Sequence, residues 1–378
     1  SFMERAIEAI VAPGGTRELL RLAWPLVLGN SIWMAQIILD RVLLSRSSLA
    51  SLAAGFASVT LFWCFLSLFQ FTANYATTFV AQYHGAGRPE RVGPVVWQAL
   101  WFGLVVGLLF QFLQPLAGPL VALGGHESEL QSLEIPYFRC LCLSALPMLL
   151  TAALTSFFAG RGDSRTVLLI NVSGLAVNGV AAVVLIFGRC GLPALGIVGA
   201  GWATVIGTST SAALGFLLML RSSYRHTHAT ARGWRFDADL FRRLLRFGLP
   251  NGIFAALDAL VWAIFLQLVG RLGEVDLAVT SIAFTLNLLV LFPMWGIGQA
   301  VEVLVGQRLG EDRPDVAERS TWRGLRLALA ITVAGVLPFV LMPETLADLF
   351  HGGQDDQLWQ PIRTRVPILL RFVAVYSF

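Results

Sequence analysis

The stretch Val80-Ala-Gln-Tyr-His-Gly85-Ala-Gly-Arg-Pro89-Glu90 returns 225 residues later as Val305-Gly-Gln-Arg-Leu-Gly310-Glu-Asp-Arg-Pro314-Asp315. A second pair, Leu20-Arg-Leu-Ala-Trp-Pro25 and Leu245-Arg-Phe-Gly-Leu-Pro250, has the same separation. Two matches at one offset indicate an internal duplication, which is common in membrane transporters. The chain is therefore predicted to contain two copies of one folding unit.

Long uncharged runs indicate that both copies lie in a lipid bilayer. Hydrophobic residues make up 56% of the chain and charged residues 13%, whereas a soluble domain carries roughly 25% charged residues. No Asp, Glu, Lys or Arg lies between Arg46 and Arg88, or between Asp276 and Glu302, and one span needs roughly 20 apolar residues. Ten spans are predicted, near residues 20–43, 53–80, 94–114, 137–158, 166–187, 195–220, 247–269, 277–305, 324–342 and from 366 onward.

The distribution of the arginines predicts how these spans are oriented in the membrane. All 27 basic residues are Arg, and 19 of them fall in loops on the side of the N-terminus, against six on the opposite side. Because cytoplasmic loops carry the excess of basic residues, the N-terminus is predicted to be cytoplasmic. The expected location is a bacterial inner membrane. Arginines scattered in short loops do not form a nucleic-acid surface, so no nucleic-acid partner is expected.

Six spans fit into the first copy, and an even number returns the chain to its starting side, so the two copies share one orientation. The predicted fold class is an all-α membrane protein of two parallel-repeat six-helix lobes. The N-lobe is placed at 1–220, a cytoplasmic inter-lobe linker at 221–243 and the C-lobe at 244–378. About 90 residues of a second 225-residue unit are missing from the chain, so the C-lobe is expected to be incomplete.

Neither catalysis nor a resident cofactor is expected. The histidines fall in loops without metal-ligand spacing on one helix, and His226 and His228 are assigned to a solvated linker. The four cysteines have no CxxC spacing and are interpreted as small buried apolar residues. The chain is therefore predicted not to be an enzyme.

Several short motifs follow one another in a specific order. They are Leu22-Ala-Trp-Pro25 followed by Asp40, the stretch at Val80, Gly160-Arg-Gly-Asp-Ser164, Gly199-Ala-Gly-Trp-Ala-Thr204, Phe292-Pro-Met294 and the stretch at Val305. In this order they resemble the multidrug and toxic-compound extrusion (MATE) family, and within it the NorM-like branch. The resemblance implies a twelve-helix exporter that expels amphipathic, often cationic compounds in exchange for sodium ions or protons.

Asp40 is the first candidate site residue. It lies in the first span, roughly 22 Å along a helix from Pro25, where a carboxylate must face protein or water. The residues alone leave two interpretations: a proton or sodium site, or a solvent-facing side chain that pairs with Arg41 or Arg46.

The resemblance adds two polar residues to this N-lobe site, Asn178 and Thr204. Some relatives carry a second acid four residues after that Asn, where this chain has Ala182. Asp40 is then the carboxylate on which the N-lobe site depends.

Asp258 is the second candidate. It follows Pro250 by eight residues, about 12 Å of helix, which places it close to the bilayer centre. A salt bridge with Arg371 is the structural alternative. The resemblance implies a cation or drug-cation site here, adds Tyr376 to it, and makes Asp40 and Asp258 the possible Na⁺ ligands.

Glu302 has no implied role and is interpreted as snorkelling or as pairing with Arg308, with a functional role as the alternative. Aromatic rings such as those of Phe69, Phe71, Phe284 and Phe292 are candidates for the cleft between the lobes, where they would attract cationic compounds. The alternative, which is the commoner role of such rings, is a lipid-facing or interfacial position.

The predicted function is multidrug efflux by antiport, exporting amphipathic, cationic compounds in exchange for Na⁺ or H⁺. The alternative is a flippase for lipid-linked precursors, which shares the superfamily fold but needs several arginines inside the cleft. Only Arg139 and Arg371 lie within or near the spans. The expected partners are small amphipathic molecules and the lipid bilayer, and a monomer is expected.

Overall fold

The structure is a computed structural model that describes residues 15–122, 124, 127–272, 274–348 and 356–377. Within these residues the secondary structure is helical, which confirms the all-α prediction. Short 3₁₀ turns occupy Pro89–Arg91 and Phe110–Leu113. The helices are α1 (Thr16–Ser47), α2 (Leu49–Asn74), α3 (Ala76–Gly85), α4 (Val92–Leu109), α5 (Ala117–Ala122), α6 (Ser128–Gly160), α7 (Ser164–Phe187), α8 (Ile197–Met219), α9 (Ser222–Arg225), α10 (Ala238–Gly270), α11 (Glu274–Gly310), α12 (Pro314–Leu341), α13 (Pro343–Asp348) and α14 (Asp356–Tyr376).

Nine helical stretches of the described residues are long and apolar enough to cross a bilayer. They correspond to the first nine predicted spans. The tenth predicted span falls in α14, which is not among the nine because it carries Arg363, Arg365 and Arg371. Its apolar residues recur at helical spacing instead, so that Ile362 and Val366 are buried while the three arginines are exposed.

The helices pack into two compact units. The larger unit comprises the described residues within 32–259 and 302–314, and the smaller unit comprises those within 1–31, 260–301 and 315–378. Helices α1, α10 and α11 contribute residues to both units, so the units do not coincide with the lobes predicted at 1–220 and 244–378. Those lobe boundaries stay a prediction.

In the larger unit α6 is the central helix. It packs against α2, α3, α4 and α8, while α7 packs along α8. Three of the largest fully buried side chains, Phe138, Leu149 and Phe157, belong to α6. This long apolar helix therefore supplies much of the core of the unit.

The predicted duplication is visible where the ends of α3 and α11 meet inside the larger unit. A Cβ atom at Gly85 would overlap the backbone carbonyl of Gln307, and a Cβ atom at Gly310 would overlap that of Gln82. Gly85 and Gly310 are 225 residues apart, as are Gln82 and Gln307. The two copies thus contact each other through equivalent residues, as expected for parallel repeats around an axis.

The smaller unit has a separate apolar core on α11, α12 and α14. Its most buried members include Ala283, Val366 and Leu370. The hydroxyl of Ser377 donates a hydrogen bond of 2.7 Å to Oδ1 of Asn287, and both residues are buried. This bond ties α11 to the chain that follows α14.

The segment between α8 and α10 differs from the solvated linker that the sequence predicts. His226 is exposed, but His228 is only 8% exposed and Thr230 is fully buried. Burial, together with the positive charges of Arg161 and His84, lowers the pKa of His228 to about 4, so the imidazole is neutral at neutral pH. Within the described residues no group of three His, Cys, Asp or Glu side chains is placed to hold a metal ion.

The cysteines are free in the described structure. Cys140 and Cys142 are buried and Cys64 is half-buried, whereas Cys190 is exposed in the turn after α7. The interpretation as buried apolar residues is therefore wrong for Cys190, because this residue lies beyond the end of the apolar helix.

Candidate functional site

Asp40 lies in α1 within the larger unit, and part of its carboxylate is enclosed. The Oδ1 atom is buried and accepts no hydrogen bond from any described residue. The carboxylate interacts electrostatically with Tyr137 of α6, whose side chain is buried. A carboxylate held like this inside a membrane helix is costly to keep charged, so it favours the arrival of a cation.

Asn178 lies in α7 and is fully buried. Neither its amide oxygen nor its amide nitrogen has a hydrogen-bond partner in the described structure. Buried amides are nearly always hydrogen-bonded, so this one requires an explanation beyond packing. Ala182, one helical turn further on, is also fully buried and supplies no polar atom.

Thr204 lies in α8, and its hydroxyl donates a hydrogen bond of 3.1 Å to the carbonyl of Ala200 in the same helix. The hydroxyl oxygen keeps lone pairs for a further donor or a cation. Thr204 is therefore able to contribute an oxygen ligand without losing its own hydrogen bond.

Close packing brings these helices together at one level. A Cβ atom at Gly179 would lie 3.1 Å from Cδ2 of Leu39, so α7 approaches α1 beside both Asn178 and Asp40. A Cβ atom at Gly207 would lie 2.6 Å from Cβ of Asn178, so α8 approaches α7 one turn beyond Thr204. The structure thus places the three predicted N-lobe residues on neighbouring helix segments.

The sequence analysis missed Tyr137 and Glu134. A Cβ atom at Gly201 would lie 3.3 Å from Cδ2 of Tyr137, which joins α6 to the same group of helices. Glu134 is a buried carboxylate one turn before Tyr137, and its backbone carbonyl accepts a hydrogen bond of 3.4 Å from Ser58. The span predicted near residues 137–158 does not include Glu134.

We call Asp40, Tyr137, Asn178 and Thr204 the polar cluster. It offers a carboxylate, a phenol, an amide and a hydroxyl, which are oxygen donors suited to a proton or to a small hard cation such as sodium. Within the described residues, the polar cluster joins three of the residues predicted for a cation site to a buried phenol.

Asp258 contrasts with the polar cluster. It also belongs to the larger unit, but its side chain is exposed on α10, and so are the neighbouring Phe254 and Leu257. A charged carboxylate on such a surface must be in contact with water. The alternative salt bridge involves Arg371, which belongs to the other unit, and it stays a prediction.

Tyr376 lies in the smaller unit and is 71% exposed. Its ring is 6.3 Å from that of Phe284, which lies 4.5 Å from Trp262 and 5.9 Å from Phe265. We call these four residues, Trp262, Phe265, Phe284 and Tyr376, the aromatic row. Rings in this arrangement offer both apolar contact and cation–π attraction.

Two of the other predicted aromatic residues, Phe69 and Phe292, pack against neighbouring rings. Phe69 contacts Phe102 and Phe110 at ring distances of 6.3 and 5.9 Å. Phe292 is buried against Trp295 at 5.4 Å. Phe71 is half-buried, and its carbonyl accepts a hydrogen bond of 3.4 Å from Asn251.

Glu302 takes part in a contact between the two copies inside the larger unit. Its Oε1 atom accepts a hydrogen bond of 2.6 Å from the hydroxyl of Thr78 in α3. Gln307, further along α11, donates a hydrogen bond of 2.9 Å to the carbonyl of Gly160. Arg308 forms an ion pair with Glu311 at 2.9 Å, and its predicted pairing with Glu302 stays a prediction.

Comparison with known proteins identifies the family. The family model MatE matches residues 25–185 and 254–378. The multidrug resistance protein PmpM of Pseudomonas aeruginosa is 30% identical over 338 residues, covering 88% of this chain and 70% of the relative. A protein named as a probable multidrug resistance protein NorM of Xanthomonas campestris is 27% identical over 364 residues, covering 94% of this chain and 77% of the relative.

Solved structures share the fold. A MATE protein in the straight conformation superposes with a TM-score of 0.84 at 23% identity, covering 99% of this chain and 81% of its own. A multidrug resistance MATE family transporter of the MOP superfamily, in an outward-facing conformation, gives 0.85 at 22% identity, with coverage of 99% and 82%. With nine helices able to span a bilayer among its described residues, this chain is an integral membrane protein, and it belongs to the MatE family.

Proposed function

We propose that this protein is a multidrug efflux antiporter, which exports amphipathic, cationic compounds in exchange for Na⁺ or H⁺. The names of the relatives support multidrug efflux. The positive-inside bias supports an N-terminus in the cytoplasm, and the bacterial relatives support a location in a bacterial inner membrane. Small amphipathic molecules are then its substrates, and no resident cofactor is required.

The proposal rests on polar atoms of the polar cluster that are buried without hydrogen-bond partners. Asp40 Oδ1 and both amide atoms of Asn178 are buried without hydrogen-bond partners among the described residues. Each such atom costs about 1–3 kcal/mol when left unpaired. A site that binds a cation in one step of a cycle would recover this cost, whereas a purely structural site would not leave it in place.

Coupling between the cation and the exported compound follows from the negative charge of Asp40. A proton or sodium ion at Asp40 neutralises the carboxylate, and a cationic compound that depended on this negative charge then loses affinity. The ion and the compound therefore compete, which is the requirement for exchange. Only their differential affinity for the two conformations can drive the change between them.

The second copy would contribute to substrate binding. Asp258 offers an exposed negative charge on α10, and the aromatic row offers exposed ring surface in the smaller unit. Both features suit bulky cationic compounds. Asp258 is assigned a smaller share of coupling than Asp40, because a water-exposed carboxylate binds a small cation weakly.

No feature favours the flippase alternative. Arg139 donates a hydrogen bond of 3.3 Å to the carbonyl of Gln114, and Arg371 is exposed on α14. A cluster of arginines for a large anionic headgroup is not found among the described spans.

Ethidium efflux from cells tests this function. Cells that express wild type, Asp40→Asn or Asp258→Asn are loaded with ethidium and given an imposed sodium or proton gradient. Wild type is expected to export ethidium under one of the gradients, and Asp40→Asn is expected to lose this export while still reaching the membrane. Unchanged export by both variants would show that the acids are structural and would remove the coupling assignment.

A further inference from the structure

The segment between α8 and α10 is fixed along α4 by a row of hydrogen bonds. Trp97 and Trp101 donate their indole N–H groups to the carbonyls of Thr230 and Trp234, at 2.7 and 2.8 Å. Gln98 donates to the carbonyl of Arg235 and accepts from the backbone N–H of Asp237, both at 3.1 Å. These bonds use backbone groups of the segment, so its side chains remain available.

A second anchor holds the start of the same segment against α6. The guanidinium of Arg161 lies 4.6 Å from the ring of Phe157 and 4.3 Å from the ring of Tyr224. His228 packs against Phe157 and Tyr224 at 5.6 and 5.5 Å, and its carbonyl accepts a hydrogen bond of 3.0 Å from Gly93. The segment is thus a fixed part of the larger unit.

We call residues 221–246 the basic strap. It carries seven arginines and two aspartates, so its net charge is +5 without the histidines. Arg232 and Arg235 are exposed, and between and beside them Trp234 and Phe236 are 54% and 60% exposed. A fixed surface therefore presents guanidinium groups next to large apolar rings.

The position of the basic strap places this surface at the edge of the bilayer. It connects α8 to α10, both of which are long and apolar enough to cross a membrane. The first turns of α4, which carry Trp97 and Trp101, lie beside it. Tryptophans and exposed arginines at such a level are typical of the lipid headgroup region.

We propose that the basic strap binds the anionic phospholipid headgroups of the surrounding bilayer. Arg232 and Arg235 would contact the phosphates, and Trp234 and Phe236 would enter the boundary with the acyl chains. Charge complementarity selects anionic over zwitterionic lipid, because both lipids carry a phosphate but only the anionic one has a net charge. Anionic lipid would then hold the strap at the membrane surface and anchor the larger unit there.

Lipid titration of the purified, detergent-solubilised protein tests this proposal. Native mass spectrometry would count bound phosphatidylglycerol and phosphatidylcholine on wild type and on the double variant Arg232→Gln/Arg235→Gln. The matched control is Arg46→Gln/Arg189→Gln, which removes two exposed arginines beyond the other end of the spans. Retention on gel filtration checks that each variant is folded.

Wild type and the control are expected to prefer phosphatidylglycerol. In the strap variant, the ratio of bound phosphatidylglycerol to bound phosphatidylcholine is expected to fall about fivefold for each arginine removed. An unchanged preference in the strap variant, or an equal loss in the control, would overturn the proposal. A third arm adds inorganic phosphate at millimolar concentration. Complete displacement of phosphatidylglycerol by phosphate would also overturn it, because the strap would then be a site for free phosphate.

Discussion

The two copies of the repeat have the same residues at the contact between them, but their acidic residues have different surroundings. At the ends of α3 and α11, Gly85 and Gly310 make equivalent close contacts with the opposite copy. In the membrane, Asp40 of the first copy is enclosed by the polar cluster, whereas Asp258 of the second copy is exposed. The packing contact between the copies is therefore symmetric, whereas the surroundings of the two acidic residues are not.

Each region is under a different physical constraint. A contact between backbones tolerates only glycine on either side, so both copies need the same residue there. A cation site needs one set of enclosed oxygen atoms, so a second copy of the set is not required. We therefore expect substitutions at the contact to act symmetrically and substitutions at the acids to act unequally.

The largest effect at the contact between the two copies is expected from Gly85→Ala and Gly310→Ala. Each added methyl group has no room against a backbone carbonyl, and overpacking of this kind costs about 1–3 kcal/mol. Both variants should lower the ethidium efflux rate by about tenfold or more, and to the same extent. Gly118→Ala is the control, since a Cβ atom at Gly118 meets no other atom within 4 Å. A large effect in only one of the two variants would break the symmetry.

The next effect separates stability from transport within the polar cluster. Asn178→Leu replaces an amide without partners by an apolar side chain of similar size, so the melting temperature should stay the same or rise. Cation-dependent transport should nevertheless fall about tenfold. Thr204→Val should have a smaller effect, because the Thr204 hydroxyl already bonds to its own helix. If Asn178→Leu lowers the melting temperature but leaves transport by the folded protein unchanged, Asn178 is structural.

A smaller effect is expected from Asp258→Asn. An exposed charge is screened by salt, so its contribution should be about 0–1 kcal/mol. The variant should raise the KM for ethidium a few-fold at low ionic strength and behave like wild type at high ionic strength. Transport assays in proteoliposomes at two salt concentrations measure this. A loss that does not depend on salt would mean that Asp258 is enclosed during transport.

The smallest effect concerns the hydrogen bond between Thr78 and Glu302. It links the two copies beside the glycine contacts, but the side chain of Glu302 is exposed, so the bond should contribute only about 0.5–1.5 kcal/mol. Glu302→Gln and Thr78→Val should each lower efflux less than threefold, and the double variant should add little to either. Fully additive losses would indicate that the two side chains act separately.

The sequence predicted the spans and the duplication because both leave linear signals. Uncharged runs mark helices in lipid, and residues 225 apart repeat the same stretch. Asp40 and Asp258 were found in the same way, as charged residues inside apolar runs. None of this required contacts between distant residues.

The remaining features depend on contacts that the sequence does not display. Tyr137 joins the polar cluster through the packing of α6 against α8, and no spacing relates it to Asp40. The lack of hydrogen-bond partners at Asn178 can be recognised only when the positions of the neighbouring donors and acceptors are known. The burial of His228 results from hydrogen bonds to α4, although its surroundings are typical of a solvated loop.

The most direct test of the polar cluster is cation release from purified protein on addition of ethidium. Release is measured in two ways: protons by a pH indicator in weakly buffered detergent solution, and sodium by displacement of radioactive sodium. Wild type is predicted to release one of the two cations, Asp258→Asn to release nearly as much, and folded Asp40→Asn to release none. Equal release from Asp40→Asn and wild type would contradict the account, because the exchanged cation would then be bound elsewhere.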